Sequence, residues 1–112
     1  MIEVLGTDEF KAWYLGLEAK ESDAVDFVVG LLEELGVALT FPYCSQIKGS
    51  KCALRELRVQ SGGSPLRVFY AFDQKRRALM LIGGSKAGDG GFYVRMIRRA
   101  EKIWEEYLGD MS

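Results

Sequence analysis

LRELRVQ (residues 54–60), SGGSP (61–65), LRVFYAFD (66–73), QKRR (74–77) and ALMLIGGS (78–85) decide the fold. Three runs rich in Leu, Val, Phe, Tyr and Ile are separated by Gly, Ser, Pro and charged residues, the pattern of an antiparallel meander. Ser61 to Pro65 supplies a turn whose residues accept positive φ, and Asp73 to Arg77 supplies a second, charged turn. A strand alternates sides with period two. Leu66, Val68, Tyr70 and Phe72 therefore share one face of the sheet, and Arg67, Phe69 and Ala71 share the other. In the first run Leu57 and Val59 share a side with Arg55, which leaves Glu56 and Arg58 opposite. These charges project from a sheet face rather than from a loop.

The flanks read as helices that cover the sheet. Ile2 to Leu5 is a short strand. Thr7 caps a helix with Asp8 and Glu9 in its first turn, and Phe10, Trp13, Tyr14 and Leu17 recur at helical spacing as core. After a polar corner from Glu18 to Glu21, Ser22 is the expected cap of a second helix carrying Val25, Val28, Val29, Leu32 and Leu35, with Gly36 at its end. Val37 to Lys51 reads as an irregular connector, since Pro42 argues against regular structure. In the last segment Tyr93, Met96, Ile97, Ala100, Ile103, Trp104 and Tyr107 form an apolar stripe, with Arg95, Arg98, Arg99 and Lys102 mostly on the other side. The expected fold is α+β: two N-terminal helices and a C-terminal helix packed on a small antiparallel sheet.

The chain of 112 residues, 48% hydrophobic, reads as one domain with one core, residues 1–112. No apolar run approaches the roughly 18 residues of a membrane span. The acidic start, MIEVLGTDEF, is not a secretory signal, so a cytoplasmic protein is expected. Cys44 and Cys52, in a chain without histidine, cannot make an ordinary zinc site, and the cytoplasm would keep them reduced. No metal and no cofactor are expected. The net charge of −1 hides an asymmetry: residues 1–47 hold 2 basic and 9 acidic side chains, residues 48–102 hold 13 and 4. The second segment is either a polyanion-binding surface or a set of solvated cations flanking an apolar sheet. The glycine-rich stretch from Gly83 to Gly91 lacks the residue order of a P-loop, which argues against a nucleoside triphosphate site.

Several stretches together resemble the phage-type HigB branch of the RelE/ParE toxin superfamily. They are Leu54 to Val59, Arg67 to Asp73, LIGGSKAG at 81–88, Phe92-Tyr93 with the helix that follows, Thr7 to Trp13, Pro42, and Lys48-Gly49-Ser50. The resemblance implies a RelE-like fold and the toxin of a type II toxin–antitoxin pair. Such a toxin cleaves mRNA on the ribosome and is neutralised by a helix-turn-helix antitoxin, alone as a homodimer or in a hetero-oligomer. The superfamily also includes ParE-like inhibitors of DNA gyrase, and fold alone does not choose between the activities. A catalytically inactive relative that only binds its antitoxin is the third reading.

Metal-free RNA cleavage needs a base for the 2′-OH, cations for the phosphate and an acid for the departing 5′-oxygen. Without histidine, other groups must serve. Arg67 matches the superfamily's strand arginine and is the expected phosphate clamp, against a rival reading as a surface residue beside the turn. The RNA-cleaving reading as a whole requires Arg67 to lie unburied and unpaired among the other cations; a buried, ion-paired Arg67 would leave only the family likeness. Lys86 corresponds to a basic catalytic position of the family, to donate a proton or stabilise charge, or is a plain loop lysine. Tyr93 lies near the family's tyrosine. It would stack on a base, take part in proton transfer if cations lower its pKa, or belong simply to the apolar stripe. Lys48, Lys51, Arg55, Arg58, Arg76 and Arg77 are candidate RNA-backbone contacts, and Phe92 is a candidate to exchange roles with Tyr93. Glu56 is either a general base or half of a strand ion pair.

Overall fold

The computed structural model describes residues 1–111. In chain order it contains β1 (Val4–Gly6), α1 (Asp8–Leu15), α2 (Ala19–Leu35), a 3₁₀ turn (Gly36–Ala38), β2 (Cys44–Gln46), β3 (Arg55–Ser61), β4 (Ser64–Phe72), β5 (Ala78–Ser85) and α3 (Phe92–Met111). The five strands form one sheet in the order β1-β5-β4-β3-β2. The meander β3-β4-β5 is antiparallel, as its alternation predicts, while β1 runs parallel to β5. Gly62, at φ +58, opens the tight turn that pairs Ser61 with Ser64.

The predicted face assignment holds. Leu57, Val59, Leu66, Val68 and Tyr70 join Val25, Val28 and Leu32 of α2 in one core; Phe69 and Ala71 join Phe92, Met96, Ala100 and Ile103 of α3 in another. Helices thus cover both faces, and the Arg67 face is not an open basic surface. A register shift at Phe69/Tyr70 skips Leu81, so Leu81 and Ile82 both serve the α3 core. Past this bulge, Gly83 and Gly84 let helices close on β5 from both sides. A Cβ on Gly83 would lie 2.3 Å from the Trp13 ring, and one on Gly84 would lie 3.1 Å from the Phe92 ring.

Thr7 caps α1 as predicted, accepting from the Phe10 amide at 3.0 Å, and its hydroxyl donates to the Leu81 carbonyl at 2.7 Å. α2 starts three residues before the predicted Ser22 cap. Glu18 and Glu21 satisfy each other's backbone amides in a reciprocal capping box, so the polar corner is the helix start itself. The connector also hides a strand. β2 follows Pro42 and pairs with Arg55–Leu57, leaving the outer edge of β3 beyond Arg58 uncovered by it.

Candidate active site

The site forms where the start of α3 crosses the sheet. Gly84 is the cross-strand partner of Arg67, and Arg67 is in turn the partner of Arg58. Because Gly84 lets Phe92 seat against β5, the next residue, Tyr93, comes to lie over Phe69 and reaches Arg67 and Glu56. Phe92 is only 2% exposed and packs as core, so it is not the stacking residue considered from sequence.

Glu56, 5% exposed, is the hub. Its Oε1 accepts from the Tyr93 hydroxyl at 2.8 Å and lies 3.6 Å from Arg67 Nε. Its Oε2 accepts from the Ser45 hydroxyl at 2.7 Å and lies 3.6 Å from Arg58 Nη1. Arg67 is 4% exposed; its Nη1 donates to the Leu66 carbonyl at 2.9 Å and its Nε to the Tyr93 hydroxyl at 3.4 Å. The requirement that the sequence set for RNA cleavage led by an open arginine is therefore not met, and a nuclease built on Arg67 as the phosphate clamp is overturned. Arg67 is paired beneath α3, because a buried guanidinium must find a carboxylate and Glu56 is the neighbour on its face. It braces Glu56 and Tyr93 rather than presenting itself to solvent.

Tyr93 likewise departs from the reading that needs a lowered pKa. Burial, and next the hydrogen bond to Glu56, push its phenol above the ordinary value, and Arg67 opposes this only in part. At neutral pH it is a protonated donor, not a base. Lys86 sits half-buried above it, with Nζ 5.8 Å from the ring centroid. Its backbone amide donates to the Pro65 carbonyl at 3.1 Å, and the glycine-rich loop beyond is held by the Asp89–Arg95 ion pair.

Of the three predicted catalytic residues, Arg67 and Tyr93 thus meet at a fourth, Glu56, while Lys86 reaches only the Tyr93 ring. Of the predicted backbone contacts, Arg58 alone joins them, its side chain 30% exposed. Arg55 lies on the opposite face, over the Phe72 ring. Arg77 is paired with Asp73, and Arg76 stands in the same turn. That turn is five residues of β4 beyond Arg67, roughly 16 Å along a strand. Lys51 pairs with Glu105 midway along α3, and Lys48 lies in the same connector. Sequence reasoning missed Ser45, whose register opposite Glu56 is readable only once β2 is recognised. Among the described residues no cluster of three or more Cys, Asp or Glu could hold a metal ion, and Cys44 and Cys52 are free thiols.

Residues 12–105 match the family described as phage-derived protein Gp49-like (DUF891). The chain belongs to this family. Two Mycobacterium tuberculosis proteins, provisionally named toxins HigB2 and HigB3, are similar at 36% and 32% identity. The matches cover 94% and 89% of this Gp49-like chain, and 54% of the first relative but 88% of the second. The chain thus spans about half the length of the first. Among solved structures, a mutant of E. coli toxin RelE in the free state aligns with a TM-score of 0.60 at 7% identity, covering 99% of this chain and 98% of that one. The archaeal RelE–RelB complex from Pyrococcus horikoshii aligns at 0.57 and 16%, covering 78% and 97%. The fold is RelE-like, as the sequence resemblance implied. No helix among the described residues is long and apolar enough to cross a membrane.

Proposed function

We propose that this Gp49-like protein is the toxin of a type II toxin–antitoxin pair and a ribosome-dependent mRNA endoribonuclease. Family membership supports the toxin reading. The observation that carries the chemistry is the direct hydrogen bond, 2.8 Å, between the Tyr93 phenol and the Glu56 carboxylate, braced by Arg67 and flanked by Lys86 and Arg58.

In this reading Glu56 takes the proton from the 2′-OH. The 2′-oxygen bonds to phosphorus while Lys86 and Arg58 stabilise the crowded phosphate, and the bond to the 5′-oxygen breaks. Tyr93, kept protonated by burial and by Glu56, gives its proton to that leaving oxygen. The products are a 2′,3′-cyclic phosphate and a 5′-hydroxyl. Glu56 then returns the proton to Tyr93 along the bond that joins them, which closes the cycle without histidine. Arg67 is a positioning residue. A helix-turn-helix antitoxin neutralises the toxin by direct binding, a partner for which the neighbouring RelE–RelB complex is the precedent.

Inducible expression with mapping of transcript ends tests this. Translation arrest with cut transcripts bearing 5′-hydroxyls is expected. Intact transcripts with double-strand DNA breaks would favour the gyrase reading, and unchanged growth would favour a purely regulatory relative.

A further inference from the structure

Arg58 faces two ways. Its Nη1 lies 3.6 Å from Glu56 Oε2, and its guanidinium carbon lies 5.1 Å from the centroid of the Phe41 ring. Phe41 is 70% exposed and stands beside the buried charged cluster. The segment that carries it is held against the sheet, since the Arg58 amide donates to the Tyr43 carbonyl at 2.8 Å. Next to it, a groove of about 390 Å³ opens between α2 and the uncovered edge of β3, lined by Ala24, Phe27, Pro42, Tyr43, Arg58 and Gln60. Phe27 and Tyr43 meet there edge to face, ring centroids 6.4 Å apart, and both are exposed.

We propose that Phe41 is a stacking platform for an unpaired RNA base next to the scissile linkage, with Tyr43 and the groove receiving the neighbouring nucleotide. This rests on the RNA-cleaving reading and adds a substrate-positioning residue to it. The Arg58 guanidinium lies over one face of the exposed Phe41 ring, so a base would stack on the other face while the cation neutralises its phosphate. Arg58 then links the stacked nucleotide to Glu56, so that a base seated on Phe41 sets the adjoining phosphate at the cluster. An apolar peptide would use the rings but not the cation, and this favours RNA over a protein occupant.

The test uses ribosomes programmed with a transcript that carries 2-aminopurine beside a scissile linkage blocked by a 2′-deoxyribose. Wild-type protein is expected to quench the probe by stacking, as is Tyr93→Phe. Phe41→Ala is expected to lose the quenching, and Phe41→Trp to retain it. On a cleavable transcript Phe41→Ala should slow cutting about tenfold or more, the scale of one lost base–aromatic stack, and Phe41→Trp should restore it. Absent quenching by wild type, or wild-type quenching and cutting by Phe41→Ala, overturns the proposal. So does a Phe41→Ala variant that loses only antitoxin capture, which would make the patch a protein-docking surface. Quenching by a wild-type protein that never cuts supports the platform and sinks the Glu56–Tyr93 mechanism instead.

Discussion

α3 carries a tyrosine near each end, and each meets an arginine paired with a carboxylate, one in the sheet and one in the β4–β5 turn. At one end Tyr93 meets Arg67 and Glu56; at the other, Tyr107 lies 3.4 Å from Arg77 Nη2, and Arg77 pairs with Asp73 at 2.7 Å. The residue types match, but the work differs. Asp73 spends its acceptors on its own turn: Oδ1 takes the amides of Lys75 and Arg77, and Oδ2 takes the Arg77 guanidinium. Burial pulls its acid up, but the Arg77 hydrogen bonds and charge outweigh this and hold it below the ordinary carboxylate value. Glu56 instead accepts from the side chains of Tyr93 and Ser45, groups that a substrate can displace or use. A carboxylate committed to backbone amides builds a turn; one held by a phenol and guanidinia on two strands is the group proposed above to take the substrate's proton.

The comparison breaks first on activity. Glu56→Gln is expected to lower mRNA cleavage at least about 100-fold, the usual reach of a general base, whereas Asp73→Asn leaves the rate within about twofold; single-turnover rates on programmed ribosomes decide. Stability comes next. Arg67→Ala takes one of two guanidinia from the buried Glu56, leaving Arg58, and should cost about 1.5–3 kcal/mol in denaturant unfolding. Adding Glu56→Gln to it should recover part of that loss, and Arg77→Ala should move the midpoint far less. Full additivity of the two substitutions would deny the coupling.

The two ends also titrate in opposite directions. The Tyr93 pKa is raised, so its contribution is fully present below the unfolded phenol value and is lost as pH rises through the folded one. The alkaline fall in stability should therefore be shallower in Tyr93→Phe than in wild type. The Asp73 pKa is lowered, so its contribution is present above the unfolded carboxylate value and is lost as pH falls through the folded one. Asp73→Asn should flatten the acid limb and leave the alkaline limb alone. The smallest effect expected is that variant's thermal shift near neutrality, about 4–8 °C for one turn's worth of hydrogen bonds.

The meander and α3 were legible because periods of two and 3.6 run long enough there to register. β2 was not, since three residues after a proline carry no period. Alternation put Glu56, Arg58 and Arg67 on one face but could not say that α3 would bury it, so Arg67 read as an open cation. Tyr93 read as base stacker, proton-transfer group or stripe residue, and it is part of both core and cluster, since a phenol has an apolar body and a polar tip. Charge counting merged Arg58, Arg55 and Arg77, which the register separates onto two faces and two ends.

The most direct measurement is the cleavage rate of programmed ribosomes by purified Tyr93→Phe and Tyr107→Phe proteins beside wild type. A loss of about 100-fold or more is expected for Tyr93→Phe, the scale of a missing general acid, and an unchanged rate for Tyr107→Phe. Equal rates for the two variants would contradict the Glu56–Tyr93 mechanism.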